Sequence, residues 1–303
     1  MAARPIRIQV GTASWTDKTL IDSKRFYPKG CSSAEDRLRY YASQFPMVEV
    51  DSSYYALPSA RNAELWAART PAGFSFNVKA FRIFTGHQTP AQALPRDIAE
   101  ALADHFDRKK NVYYKDLPVP IRDDLWARFE RGIRPLAEAG KLTAIHFQFP
   151  PWVFPSREWH AHIEECAARL AGVQLATEFR QQSWFDAEHR DATLAFERAH
   201  DFAHVVVDAP QGFKNSVPPV WEAASPKLAI VRLHGRNAAT WNVKGASAAS
   251  DRFNYDYPDA ELTEIAGKIK DLAAHVELIQ VIFNNNYEDQ GQRNAKTLQH
   301  LLD

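Results

Sequence analysis

The sequence predicts a single-domain α/β protein with a (β/α)8 TIM barrel spanning residues 1–303. Three observations predict this fold: eight short apolar runs, helical segments between them, and no glycine-rich turn after the first run. Strands that alternate with helices favour a parallel sheet, and eight such units in a chain of this length are typical of a closed barrel. No low-complexity linker divides the chain, so we expect one domain.

The predicted strands are short runs rich in β-branched and aromatic residues. They are IRIQV from Ile6, MVEV from Met47, FSFNV from Phe74, LTAIHF from Leu142, VQLAT from Val173, AHVVV from Ala203, KLAIV from Lys227 and VELIQVIF from Val276. The segments between them repeat apolar residues at helical spacing, as in SAEDRLRYYASQF, SARNAELWAART, LWARFERGIRPLAEAG, SREWHAHIEECAARL, DAELTEIAGKIKDLAAH and QRNAKTLQHLLD. The connection between strands three and four, from about Phe81 to Lys141, is the longest, and we expect an insertion over the barrel mouth.

Composition restricts the classes of partner. Lysine plus arginine and aspartate plus glutamate each number 37, so no net positive charge draws the chain to nucleic acid or to an anionic membrane. We find no apolar run long enough for a signal peptide or a membrane span, and we expect a cytoplasmic protein. Cys31 and Cys166 lie far apart, which excludes a disulfide framework and a cysteine-rich metal site.

Alternation within the strands predicts an unusually polar barrel interior. Successive strand residues point to opposite sides, and the apolar set must face the surrounding helices. The remaining set is polar and comprises Glu49, Asp51, Asn77, Lys79, His146, Gln148, Glu178, Arg180, Arg232, His234, Gln280 and Asn284, with Asp208 at the end of the sixth strand. Because desolvating such groups is costly, the pattern predicts a ligand site at the C-terminal mouth. The alternative is a closed internal ion-pair network without a ligand.

The loops after the strands supply further candidates for ligand binding. Trp15, Tyr54 and Trp241 offer flat aromatic faces, and Asn237, Asn284 and Asn286 offer paired donors and acceptors. Ligand contact is also predicted for Glu49, Asp51 and Gln148, and an anion clamp for Arg180, Arg232, Arg236 and Lys79. Packing between loop and helix is the alternative for each aromatic side chain, and neutralisation by nearby carboxylates is the alternative for the cations.

The same strand-end motifs resemble the YecE-like family (domain of unknown function 72) along nearly the whole chain. They read GTASW, FYPKG, VEVDSSYYALPS, FNVKAFRIFTGH, FQFPPW, ATEFRQQSW, VVVDAPQG, SVPPV, VRLHGRN, TWN, RFNYDY and FNNNYEDQGQRNA. The resemblance implies a TIM barrel and carries no settled activity. The family's barrel is similar to that of the sugar isomerase and apurinic endonuclease superfamily, which is a likeness of fold alone.

An enzyme that uses acid–base chemistry on a small polar or anionic molecule is the first hypothesis, with hydrolase, isomerase or lyase as its class. Glu178 and Asp208 would share the acid and base roles, and Lys79 and His234 would transfer protons or stabilise charge. Arg180 and Arg232 would hold the anion.

Three alternatives remain open from the sequence. A metal-dependent hydrolase or isomerase would use Glu49, Asp51, His146, Glu178, Asp208 and His234 around Mg²⁺, Mn²⁺ or Zn²⁺, although no HExxH or compact ligand triplet is present. A divalent metal is therefore an alternative rather than the expectation. A nucleic-acid-binding or endonuclease-like protein is disfavoured by the zero net charge. A non-catalytic ligand sensor is the third alternative, and nothing in the sequence separates it from the first hypothesis.

Overall fold

The computed structural model describes residues 7–242 and 252–303 and contains a closed barrel of eight parallel strands. The strands are β1 (Arg7–Ala13), β2 (Met47–Val50), β3 (Ser75–Lys79), β4 (Leu142–Phe149), β5 (Leu175–Phe179), β6 (Ala203–Asp208), β7 (Leu228–Leu233) and β8 (Leu278–Phe283). Each strand pairs with its neighbours in sequence, and β1 closes the barrel against β8. The predicted fold is confirmed, except that residue 6 of the first predicted strand lies outside the described residues.

Helices surround the barrel. They are α1 (Lys18–Ser23), α2 (Ala34–Gln44), α3 (Ser52–Tyr55), α4 (Ala60–Ala68), α5 (Arg96–Ala101), α6 (Ala103–Phe106), α7 (Val119–Glu138), α8 (Arg157–Arg169), α9 (Arg190–Ala199), α10 (Asp259–Ala273) and α11 (Gln290–Leu302). The strict alternation of strand and helix fails once, because the described residues 209–227 between β6 and β7 contain no helix. Irregular chain with buried Val217 and Val220 covers the barrel there.

The long connection between β3 and β4 is only partly an insertion. Its last segment, helix α7, is the crossover helix of the third unit, and it buries Phe129 and Ile133 against the barrel. Gly132 permits this close packing, since a Cβ at that position would lie 2.1 Å from the backbone oxygen of Pro58. The insertion proper therefore spans residues 80–118 and contains α5, α6 and a two-stranded antiparallel pair, Thr89–Pro90 with Asn111–Val112.

Aromatic side chains fill the layer between the strands and the helices. Phe179 of β5 stacks on Trp184 with ring centroids 3.9 Å apart, and Phe84 stacks on Trp126 at 3.7 Å. These rings are almost fully buried, and burial of each contributes roughly 1.5–3 kcal/mol to folding. Along each strand, the apolar residues thus face the surrounding helices, and the polar residues that alternate with them face the barrel interior. Among the described residues, no helix has the length and hydropathy needed to cross a membrane.

Candidate functional site

The deepest part of the barrel interior is a chain of uncharged amides. Asn77 Nδ2 donates to Gln280 Oε1 at 2.8 Å, and Gln280 Nε2 donates to Gln9 Oε1 at 2.8 Å. The inward orientation predicted for Asn77 and Gln280 is confirmed. These amides fill this level of the barrel without charge, although Asn77 Oδ1 has no hydrogen-bond partner among the described residues.

Above the amides lies a fully buried ion network centred on Arg232. Its guanidinium donates through Nη2 to Glu49 Oε1 at 2.6 Å and through Nη1 to Glu178 Oε2 at 2.7 Å. His146 bridges the same two carboxylates, with Nδ1 3.0 Å from Glu49 Oε2 and Nε2 3.1 Å from Glu178 Oε2. The side chains of all four residues are at most 1% exposed. The closed network that the sequence offered as an alternative is therefore real at this depth.

Both glutamates of the network are held in the ionised form. Burial alone would raise the pKa of Glu178, but the charges of Arg232 and Arg180 outweigh it and hold the pKa well below its usual value. Burial is likewise outweighed at Glu49, whose pKa is lowered by Arg232 and His146. Because Glu178 is saturated with donors, it is poorly suited to the acid or base role that the sequence suggested.

His234 holds Arg180 at the top of the network. Arg180 donates through Nη1 to Glu178 Oε1 at 2.8 Å and to His234 Nε2 at 2.9 Å. Burial and the charge of Arg180 lower the pKa of His234 to about 3, so the imidazole is neutral and Nε2 is an acceptor. On the other side of the ring, Nδ1 lies 2.8 Å from Asn284 Nδ2, and Asn284 Oδ1 accepts from Arg232 Nη2 at 3.5 Å. The lone pair of His234 is thus occupied by Arg180.

A second group of the predicted residues lies nearer the solvent. Lys79 Nζ donates to Gln148 Oε1 at 3.2 Å, lies 3.4 Å from Asp51 Oδ1, and stands 5.1 Å from the ring centre of Tyr54. Burial raises the pKa of Asp51, Lys79 opposes that shift, and the nearby charge of Glu49 adds to it. Lys79 and Asp51 are 12% and 22% exposed, so a small molecule at the mouth can reach them.

Asp208 belongs to a different cluster from the one predicted. Its carboxylate accepts two hydrogen bonds from Arg236 Nε at 3.0 Å, one from Nη2 at 2.7 Å, and one from Tyr257 Oη at 2.7 Å. Four residues earlier, His204 pairs with Glu197 of α9, outside the barrel. Within the described residues, Asp208 and Glu178, the two predicted catalytic carboxylates, have different hydrogen-bond partners.

Most of the remaining predicted ligand contacts have partners within the protein. Trp15 is buried with its ring edge-on to Trp66, and Asn237 bonds to the backbone of Asn254 and Ala239. Trp241 is also buried, but Arg180 and Arg252 lie over its ring at 5.3 and 4.1 Å. All four cations of the predicted anion clamp pair with carboxylates, and of its three arginines only Arg180 has both Nε and Nη2 without a hydrogen-bond partner among the described residues.

Three residues at the mouth were missed by sequence reasoning: Asp17, Arg82 and Arg252. Asp17 Oδ2, Arg82 Nε and Arg252 Nε are buried atoms without a hydrogen-bond partner among the described residues, as is Asn286 Oδ1. Arg82 and Arg252 lie within the motifs FNVKAFRIFTGH and RFNYDY that the sequence singled out, and Asp17 lies two positions beyond GTASW. Their location in the loops that follow strands was therefore the available signal. The alternation of side-chain directions could not identify them, because it applies within a strand and not in a loop.

The carboxylates and imidazoles of the mouth are dispersed among cations. Within residues 7–242 and 252–303, no three histidine, cysteine, aspartate or glutamate side chains are grouped so that they could hold a metal ion. The carboxylates proposed as ligands, such as Glu49 and Glu178, instead bond to guanidinium groups.

Known proteins share this barrel. The family model described as "Protein of unknown function DUF72" matches residues 9–303. The "UPF0759 protein YunF" of Bacillus subtilis (strain 168) is 32% identical over 298 residues, which cover 98% of this chain and 95% of that protein. A DUF72 family protein from Enterococcus faecalis V583 aligns with a TM-score of 0.78 at 25% identity, covering 97% of this chain and 95% of that one. Another, from Thermotoga maritima MSB8, gives 0.75 at 26% identity over 98% and 99% of the two chains. The chain therefore belongs to the DUF72 family, as its strand-end motifs predicted.

Proposed function

We propose that the C-terminal mouth of the barrel binds a small polar molecule with an anionic group, and that the protein acts on it by acid–base chemistry. The observation that carries the proposal is an excess of unpaired guanidinium groups. No carboxylate of the described residues lies within ion-pair distance of Arg82 or Arg252, and the Nε atom of each is buried without a partner. Buried donors of this kind favour an acceptor supplied by a ligand.

Arg180 supports the same interpretation. Both of its hydrogen bonds use Nη1, so within the described residues Nη2 and Nε remain available. The pair Nη2 and Nε is the edge with which arginine grips a carboxylate or phosphate. Its position is fixed by Glu178, His234 and the ring of Trp241, which preorganises that edge for binding.

The positive field on this side of the mouth is visible at His87. Burial and the charges of Lys79, Arg82 and Arg180 lower the pKa of His87 to about 3. Burial and the charge of Arg180 also lower the pKa of Arg252 to about 10, which leaves it charged at neutral pH. An anion bound among these groups would relieve their mutual repulsion.

Thermal unfolding in the presence of inorganic phosphate or citrate tests the binding step, with sodium chloride of equal ionic strength as the control. An anion at ten times its Kd should stabilise the protein by about 1.4 kcal/mol. The R82Q and R252Q variants should lose this stabilisation. The R157Q variant, which changes an exposed arginine at the start of α8, should keep it. Equal stabilisation of all three variants would contradict the proposed site.

A further inference from the structure

Two aspartates at the mouth begin short helices without capping them. Asp17 precedes α1 and Asp51 precedes α3, in the position where aspartate ordinarily accepts a hydrogen bond from a backbone N–H of the first turn. Neither side chain makes that bond. The backbone of Asp17 (ψ 139°) is compatible with a cap, so this residue forgoes a bond worth about 1 kcal/mol, whereas the helical backbone of Asp51 (ψ −24°) is not that of a capping residue.

Two oxygens beside Asp51 lack a donor. Asp17 Oδ2 and Asn286 Oδ1 are buried and have no hydrogen-bond partner among the described residues, whereas Asp51 Oδ1 forms an ion pair with Lys79 Nζ at 3.4 Å. The three residues follow β1, β2 and β8, which are neighbours in the barrel. Leaving a buried acceptor unsatisfied costs about 1–3 kcal/mol, so the free oxygens of Asp17 and Asn286 favour a ligand that supplies donors.

The loops that carry these oxygens are fixed to one another. Thr19 Oγ1 donates to the backbone oxygen of Asn286 at 3.1 Å and accepts from the backbone nitrogen of Glu288 at 3.2 Å. Asp51 is held by β2 and lies 3.4 Å from Lys79 Nζ. The oxygens are thus positioned by the fold on the side of the barrel opposite Arg180, which follows β5.

Resting on the proposed function, we propose that Asp17 is the catalytic residue that exchanges a proton with a hydroxyl or carbonyl group of the bound anion. Protonated Asp17 donates to a ligand oxygen, its O–H bond breaks as the new O–H bond forms, and the resulting carboxylate recovers a proton from the ligand or from water. Asp51, paired with Lys79, accepts a hydrogen bond from a second ligand hydroxyl. The ligand class is accordingly a hydroxylated carboxylate or phosphate.

The surroundings of Asp17 favour this role at neutral pH. Burial and the charge of Asp51 raise the pKa of Asp17 to about 7, while a hydrogen bond with Asn286 opposes the shift. The other titratable groups that interact with Asp17 are tyrosines: Tyr27, Tyr41 and Tyr55. Lys79 and Arg232 lower the pKa of Asp51, while Lys18 and Arg25 near this cluster pair with Asp22 and Glu288.

Carbon-13 NMR of protein labelled at aspartate carboxyl carbons tests the proposal without knowledge of the ligand. One carboxyl resonance should titrate near pH 7 in the wild-type protein and be absent from D17N. In D51N its midpoint should fall by about one pH unit, because a like charge is removed. The D104N variant, altered at an exposed position of the insertion, should keep the titration unchanged.

Inorganic phosphate is the probe for contact with the mouth. Its addition should move the Asp17 resonance and raise the midpoint in the wild-type protein, and should do neither in R252Q. If no aspartate carboxyl titrates between pH 6 and 8, or if phosphate stabilises the protein without moving the resonance, the role of Asp17 is refuted and anion binding stands. If phosphate stabilises neither the wild-type protein nor D17N, the anion site itself fails.

Discussion

Glu178 is the residue on which the buried charges converge. Arg232, Arg180 and His146 all approach its carboxylate, and the pKa is well below its ordinary value as a result. A carboxyl group with a depressed folded-state pKa contributes stability above its unfolded pKa, and that contribution is lost as the pH falls. Glu178 therefore stabilises the neighbouring arginines through its negative charge.

The E178Q substitution should lower the free energy of unfolding by about 3–5 kcal/mol at pH 7, because it leaves the buried cations uncompensated. Wild-type stability should decline as the pH falls below about 4.3, the unfolded value, and E178Q should decline less steeply. Urea denaturation between pH 3 and 7 measures both effects. E130Q is the matched control: its ion pair with Arg134 is more than half exposed, so the cost should stay below about 1 kcal/mol. A similar small cost for E178Q would show that the network is not a closed ionic unit.

His234 offers a test of proton placement at a single ring. Because burial and Arg180 lower its pKa to about 3, the ring should stay neutral and carry its proton on Nδ1 throughout the physiological range. Nitrogen-15 NMR of the imidazole should give pH-independent shifts between pH 5 and 8 that are typical of this tautomer. A ring that titrates near pH 6.5, the ordinary value, would contradict the geometry at Arg180.

At the scale of elements, the loop after β7 is tied to β6 and α10 through an unusual backbone position. Gly235 has φ +84°, and its nitrogen donates to Tyr257 Oη at 2.9 Å, which in turn donates to Asp208. A Cβ on Gly235 would lie 2.5 Å from Cβ of Tyr255. This glycine is required both by its conformation and by the space around it.

The G235A substitution should therefore destabilise the protein by about 3 kcal/mol, combining backbone strain with a clash that needs loop movement. G140A is the matched control, because Gly140 also has a positive φ, +64°, but has open space where a Cβ would be. It should cost only about 1 kcal/mol. Thermal and urea unfolding of the two variants, compared side by side, measure the difference. Equal losses would mean that strain alone matters and that the loop adapts to Tyr255.

The elements themselves followed from sequence, because alternation within a strand is a strong constraint. Asn77, His146, Glu178 and Gln280 could be placed inside the barrel from their spacing, and the structure confirms them. Alternation also placed Lys79 and Gln148, but it could not reveal which carboxylate each arginine would meet. Asp208 and Arg236 pair because the loop after β7 returns to β6, and such a loop path has no periodic signature.

The whole molecule has no net charge, yet the mouth concentrates unpaired cations. The balance is local: Arg232 is neutralised within the barrel, Arg236 is neutralised by Asp208, and Arg82 and Arg252 have no carboxylate within ion-pair distance among the described residues. Such a distribution supports the proposed site for a small anion, because the unpaired charges are local and the chain has no net charge. Binding along a nucleic-acid backbone would instead favour a wide positive surface.

Duplex DNA should consequently not compete for the mouth. The side chains of Arg180 and Lys79 are 7% and 12% exposed, so a phosphate in a stiff duplex cannot reach them as a free phosphate can. Fluorescence anisotropy with a labelled duplex should show no binding at micromolar protein concentrations and physiological salt, where non-specific DNA-binding proteins have Kd values of about 10⁻⁴–10⁻⁶ M. Excess unlabelled duplex should likewise leave the stabilisation by phosphate unchanged. A micromolar Kd that weakens steeply with salt, together with loss of phosphate stabilisation, would instead identify the mouth as a nucleic-acid site, since counterion release is the signature of contacts with a phosphate backbone.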